Sequence, residues 1–205
     1  MGQIALPLAP GGAGTARRIV VGNANRPALD AMAAAHAWPF RTAVLFGPAR
    51  SGKSLIAHWF ASSGAGEVID DADRIDETEL FHRWNRAQES ATPLLLTCGQ
   101  DEAQWHIALP DLASRLGAAL HVRIGAPDDA MLADLIALHA ELRGLPLGPD
   151  AAAYLVPRME RTHVGVERLV ATIDRLSLER KMAPGPAIWR EALEELLGPS
   201  EPRLI

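Results

Sequence analysis

The chain predicts an α/β fold: a parallel sheet followed by a small α-helical domain. Three observations carry this. Short apolar runs alternate with amphipathic segments as far as residue 125, one of those runs breaks into a glycine-rich octad followed by helical spacing, and beyond it the pattern is purely helical. The composition agrees, since 48% hydrophobic and 22% charged residues over 205 positions suffice for a buried core. No stretch approaches the roughly 18 apolar residues that a membrane helix needs, so spanning, disorder and collagen-like structure are excluded.

Residues 1–16 hold an apolar hexad and then Pro10-Gly11-Gly12-Ala13-Gly14-Thr15, which reads as a tether presenting the hexad away from the body. After Val20-Val21-Gly22-Asn23, the alanine-rich stretch Arg26 to Ala37 predicts a helix stopped by Pro39. Thr42 to Phe46 is a buried strand, Gly47 to Ser54 a glycine loop, and Leu55 to Ala61 resumes helical spacing. Val68-Ile69 leads into Asp70-Asp71-Ala72-Asp73. Glu77 to Ser90 then gathers Leu80, Phe81, Trp84 and Ala87 on one helical face. Pro93 to Thr97 and Leu120 to Ile124 predict two further strands, with a short helix at Asp111 to Leu116 between them. The helical region comprises Ala130 to Arg143 closed by Gly144, Asp150 to about Arg161, Val164 to Lys181, and Ile188 to Leu197. The predicted division is therefore a tail at 1–16, an α/β domain at 17–125 and a helical lid at 126–205.

Charge and cysteine content narrow the function classes. The net charge is −5, and the basic residues include two lysines, Lys53 and Lys181, with scattered arginines, which argues against a dedicated DNA-binding surface. The lone Cys98 cannot form an internal disulfide or a cysteine-based metal site, which suits a reducing compartment. The start, Met1 to Leu8, lacks a basic region and a long apolar region, so the expectation is a cytoplasmic chain. The seven histidines show no metal-ligand spacing, and no nucleophile-elbow signature is present.

The octad Gly47-Pro48-Ala49-Arg50-Ser51-Gly52-Lys53-Ser54 matches the phosphate-binding pattern G-x-x-x-x-G-K-[S/T]. Glycines let backbone N–H groups wrap a phosphate, Lys53 neutralises it, and the Ser54 hydroxyl ligates Mg²⁺. The loop with Leu55 is the predicted site for ATP or ADP. Asp70 and Asp71 fit the acidic position that follows a strand in such folds: Asp70 holding Mg²⁺ and Asp71 orienting an attacking water. The alternative is a helix-capping loop with Asp73 as the cap. Residues 62–66 are too few to hold an extra strand and helix, so the sheet is expected to lack one edge strand. Thr97, at a strand end, either touches the γ-phosphate or its water, or is a buried threonine satisfied by backbone. Arg115 has a plain reading as a surface arginine paired with Asp111 one helical turn away.

These segments together resemble the DnaA-related AAA+ ATPase family, and within it the short Hda-like regulators. Gln3-Ile4-Ala5-Leu6-Pro7-Leu8 looks like the family's clamp-binding hexapeptide, Val20-Val21-Gly22 with Asn23 and Asn25 is similar to the segment leading into the adenine pocket, and Asp70-Asp71 has the clade's double-aspartate form. Leu109 to Leu116 looks like a stretch whose arginine serves as an arginine finger, a role that falls on Arg115. The resemblance spans nearly the whole chain. Three departures accompany it: Glu167 stands at the sensor 2 arginine position with Arg168 beside it, Cys98-Gly99-Gln100 replaces the usual Asp-Arg turn, and the element by which initiators grip single-stranded DNA is missing between Ser62 and Gly66.

The resemblance implies a negative regulator of replication initiation. Such a protein binds the DNA polymerase III sliding clamp (β subunit) through Gln3, Leu6, Pro7 and Leu8, and stimulates ATP hydrolysis by DnaA through Arg115. It is expected to hydrolyse its own ATP weakly, to bind no DNA sequence specifically and no membrane, and it leaves room for a nucleotide-dependent homo-oligomer. In that reading Arg115 contributes nothing to its own fold. The alternatives are a self-contained AAA+ ATPase such as a helicase loader, and a clamp-binding adaptor with a degenerate nucleotide site.

Overall fold

A computed structural model describes residues 18–198. The chain divides into two compact units, Met1–Gly125 and Ala126–Ile205. The hexad with Gln3, Leu6, Pro7 and Leu8 lies outside the described residues.

The first unit contains α1 (Arg26–Ala33), 3-10 turns at Ala35–Ala37 and Pro39–Arg41, β1 (Thr42–Phe46), α2 (Lys53–Ser62) and β2 (Glu67–Ile69). A 3-10 turn at Ala72–Arg74, α3 (Glu77–Glu89), β3 (Leu94–Thr97), α4 (Pro110–Gly117) and β4 (Leu120–Arg123) complete it. The four strands are parallel in the order β2-β3-β1-β4. The four residues 63–66 separate α2 from β2, so among the described residues the extra edge strand is absent, as residues 62–66 predicted.

Burial explains the strand composition. The central strands β1 and β3 are covered on both faces and read as continuous apolar runs, whereas β2 and β4 lie at the edges and are half exposed. Val44, Phe46, Leu94 and Leu96 meet Leu80, Trp84 and Ala87 of α3 and Leu112 and Leu116 of α4. The alternate residues Ala43, Leu45 and Leu95 are also fully buried, as are Ile56 and Phe60 of α2, which packs against β2 and β3. Each buried Leu, Ile or Phe contributes about 1.5–3 kcal/mol of transfer free energy.

Register places the site. Leu45 pairs with Thr97 and Ile69 with Leu96, so β1, β2 and β3 end side by side. The residues that leave these strands, Gly47, Asp70 and Cys98, therefore emerge together at the carboxyl edge, where ligands bind in parallel α/β sheets.

The second unit packs α5 (Asp129–Arg143), α6 (Pro149–Leu155), a 3-10 turn at Val156–Arg158, α7 (His163–Arg180) and α8 (Pro186–Leu197) around Leu132, Ile136, Leu155, Leu169, Ile173 and Ile188. Asp128 and Thr162 cap α5 and α7 by accepting N–H groups of Met131 and Gly165 at 2.8 and 2.9 Å, and Gly144 closes α5 in the left-handed conformation. Two helices are shorter than predicted. The α6 helix stops at Leu155 because Pro157 lacks the N–H and clashes with the preceding turn, and α1 stops at Ala33, where a 3-10 turn carries the chain to Trp38.

Candidate nucleotide-binding site

Glycine chemistry shapes the loop between β1 and α2. A methyl on Gly47 would meet Ile124 Cβ at 2.9 Å and Ser51 Oγ at 3.0 Å, and Gly52 adopts φ +90° at the N-terminus of α2. That helix presents its first N–H groups, which have no intrahelical acceptors, towards the loop. Pro48, Ala49 and Arg50 form the exposed tip, Leu55 is half-buried in the first turn of α2, and the buried Ser51 hydroxyl has no hydrogen-bond partner. An unsatisfied hydroxyl at the base of such a loop fits a loop that takes a polar ligand.

Lys53 folds back over the loop, its Nζ donating to the carbonyls of Gly47 at 2.8 Å and Pro48 at 3.0 Å. It is buried, and burial pushes its pKa below the usual lysine value, opposed by Asp71, Cys98, Asp73 and Asp70. Among the described residues no carboxylate forms an ion pair with it. The cation is thus held by neutral carbonyls beside a helix N-terminus, an arrangement suited to a phosphate.

The exposed Ser54 hydroxyl donates to Asp70 Oδ1 at 3.1 Å, and the buried Thr97 hydroxyl donates to the same oxygen. Thr97 Oγ1 also accepts the Asp71 N–H at 2.9 Å. Thr97 therefore ties the end of β3 to the acidic loop, and its single proton is committed to Asp70. Asp71 sits at φ +49° with its carboxylate partly exposed, 3.6 Å from Arg74. Among the described residues no cluster of three His, Cys, Asp or Glu could cage a metal. The oxygen pair Ser54 and Asp70 suits Mg²⁺, which keeps waters and phosphate oxygens as its other ligands.

Asp73 does not cap α3. Asp76 does, accepting the N–H groups of Thr78 and Glu79 at 3.0 and 3.1 Å. Asp73 Oδ1 accepts the Gly99 N–H at 2.8 Å, and burial, aided by the Asp73 charge, pushes the Cys98 thiol up to about 11. The turn Cys98-Gly99-Gln100 is thus drawn to the acidic loop.

Val20 and Val21 are half-buried in a segment fixed by Asn25, whose side chain donates to the Val20 carbonyl at 2.8 Å and accepts the Gly22 N–H at 3.0 Å. The structure brings Lys53, Ser54, Asp70, Asp71 and Thr97 together. Arg115 lies elsewhere, on α4, with its guanidinium over the rings of Phe81 and Trp84 and Nη1 donating to Asn85 Oδ1 at 2.7 Å. This corrects two expectations: the Asp111 pairing is replaced by Asn85, and Arg115 packs on its own chain rather than being indifferent to the fold. In the second unit, Arg168 is exposed, and Glu167 on α7 is close enough to bear on His139 of α5.

The sequence reading missed Asn85 as a partner and Asp73 as the anchor of the post-β3 turn. Neither carries a local signal, because both act across about 26 to 30 positions of sequence.

The parallel sheet and the glycine loop between β1 and α2, with Lys53 and Ser54 at the start of α2, define a P-loop α/β fold. No family model matches the chain. Among solved structures it is similar to domain III of the Thermotoga maritima replication initiation protein DnaA, at 14% identity and TM-score 0.71 over 88% of this chain and 95% of that one. It is similar to AMPPCP-bound DnaA from Aquifex aeolicus at 16% identity and TM-score 0.60, covering 80% of this chain and 67% of that one. The Thermotoga maritima Holliday junction branch migration motor RuvB matches at 19% identity and TM-score 0.62, over 86% and 70% of the two chains. No helix among the described residues is long and apolar enough to cross a membrane.

Proposed function

We propose that this protein is an Hda-like regulator that binds adenine nucleotide and Mg²⁺ in its own P-loop, docks on the sliding clamp through Gln3, Leu6, Pro7 and Leu8, and places Arg115 against ATP held by DnaA. Lys53, with the N–H groups of residues 47–55, would hold the phosphates. Ser54 and Asp70 would hold the cation, with Thr97 fixing Asp70 and Asp71 available to a water. Val20 and Val21 would border the base. Arg115 would neutralise charge growing on the phosphoryl group transferred in the neighbouring subunit, an effect worth about 10³ to 10⁵ in rate for arginine fingers.

The observation that carries this reading is the state of Arg115. Among the described residues no carboxylate matches its charge, and its guanidinium is held by a neutral acceptor and two rings. The resemblance of Leu109 to Leu116 to the arginine-bearing stretch of the Hda-like proteins supports it. The test is binding of a fluorescent ADP, of clamp and of ATP-loaded DnaA by the full chain. Loss of clamp binding alone on deleting residues 1–8 is the expected pattern, and unchanged clamp affinity rejects the docking role.

A second reading, the clamp-binding adaptor with a degenerate nucleotide site, has one observation in its favour. Thr97 spends its proton on Asp70, and the turn after it is drawn to Asp73, so β3 offers no free polar side chain at its end. Purified protein with no affinity for ATP or ADP would favour that reading.

A further inference from the structure

Arg115 differs from five other arginines of the chain. Arg74 pairs with Asp71, Arg123 with Asp101 and Glu102, Arg161 with Asp129, Arg175 with Glu179 and Glu195, and Arg180 with Glu191. No described carboxylate lies within ion-pair distance of Arg115, although Asp111 is one turn away on the same helix. Its guanidinium carbon lies 4.8 Å from the centre of the Phe81 ring and 4.5 Å from that of Trp84, and Asn85 supplies the acceptor. All three partners project from one face of α3, at the three- and four-residue spacings that make helical neighbours.

We propose that Phe81, Trp84 and Asn85 are positioning residues that hold Arg115 in a fixed orientation with its charge uncompensated, ready to contact a phosphate oxygen supplied by another subunit. The proposal rests on the trans-acting arginine reading above. A guanidinium stacks through its face and hydrogen-bonds in its plane, so two rings immobilise it without using its N–H donors. Asn85 takes one donor and no charge. A carboxylate there would order the side chain equally well but neutralise it. Ordering in advance removes the cost of freezing a long side chain when the phosphate arrives.

The cradle is itself anchored. Trp84 is buried, and its Nε1 donates to Thr42 Oγ1 at 3.1 Å, fixing the indole to the first residue of β1. Glu77, at the start of α3, accepts the N–H groups of Ala108 at 2.9 Å and Leu109 at 2.7 Å, immediately before α4 begins. One helix therefore sets both the entry to α4 and the arginine on it.

Two measurements on the full chain test this. The first is single-turnover hydrolysis of ATP pre-bound to DnaA with DNA-loaded clamp, comparing wild type, Arg115→Ala, Asn85→Ala and Asn85→Asp. The second is the NMR order parameter of the Arg115 Nε–H in the same proteins. Asn85→Ala should loosen the Nε–H and lower stimulation about tenfold, as expected for losing a hydrogen bond to a charged group. Asn85→Asp should keep Arg115 ordered and lower stimulation at least as far, a loss that a purely structural role would not produce. If Arg115→Ala loses stimulation while both Asn85 variants retain it, the cradle is overturned and the finger stands. If Arg115→Ala matches wild type, the finger reading fails, and the NMR decides the cradle alone: an Nε–H equally mobile in wild type and Asn85→Ala overturns it.

Discussion

The Ser54 hydroxyl lies 3.1 Å from Asp70 Oδ1, joining the first turn of α2 to the loop that leaves β2. Both groups are exposed, and both are oxygen donors of the kind that Mg²⁺ prefers. Asp70→Asn removes the charge while keeping an acceptor for Ser54 and Thr97. Titration of a fluorescent adenine nucleotide with and without Mg²⁺ should show the Mg²⁺-dependent gain in affinity lost, with Mg²⁺-free binding nearly unchanged. Lys53→Ala should weaken both. An Asp70→Asn protein that retains the full Mg²⁺ effect would remove Asp70 from the cation site.

Gly47 has no room for a side chain against Ile124, so Gly47→Ala should destabilise the protein by about 1–3 kcal/mol, as overpacking does. Gly117, at the end of α4 with nothing near its missing Cβ, provides the control: Gly117→Ala should leave stability level or slightly raised. Urea denaturation compares the two. Equal midpoints would mean that the loop yields without cost.

Burial, with Asp73 nearby, pushes the Cys98 thiol from 9.0 up to about 11. Between those values the unfolded chain has lost a proton that the folded chain keeps, so stability falls as pH rises through that window. Cys98→Ala should flatten this part of the stability profile, read from thermal unfolding between about pH 8 and 11. At neutral pH the folded thiol should react with an alkylating probe far more slowly than in denaturant. Rapid labelling of the native protein would contradict the buried, protonated thiol.

Because Arg115 stacks on Phe81 and Trp84 and bonds to Asn85, Arg115→Ala should cost about 1–2 kcal/mol of stability. Affinity for nucleotide in the protein's own loop should be untouched. Chemical denaturation, followed by nucleotide titration of the same variant, separates the two effects. A variant as stable as wild type would show that the aromatic contacts add nothing.

Sequence proved most legible where chemistry is local. The octad Gly47 to Ser54 fixes its own turn and helix start, β1 at Thr42–Phe46 is a run of apolar residues buried on both faces, and the shortage of residues at 62–66 correctly removes a strand. Legibility failed where a side chain chooses among distant partners. Nothing local distinguishes Asn85 from Asp111 as the acceptor for Arg115, or tells Asp73 to leave the cap of α3 to Asp76 and bind Gly99. Helix ends failed for a backbone reason, as at Leu155, where Pro157 converts a predicted α-helical turn into a 3-10 one.

The proposed activity stands or falls on Arg115 acting in another subunit. The direct measurement is the single-turnover rate at which DnaA hydrolyses pre-bound ATP in the presence of DNA-loaded clamp, with wild-type protein, Arg115→Ala or Arg115→Lys, each shown beforehand to be folded and to bind clamp. Wild type should accelerate hydrolysis, and Arg115→Ala should return it to the rate of DnaA alone. Arg115→Lys should rescue poorly, because an ammonium cannot bridge two phosphate oxygens as the planar guanidinium does. Equal acceleration by wild type and Arg115→Ala would contradict the account.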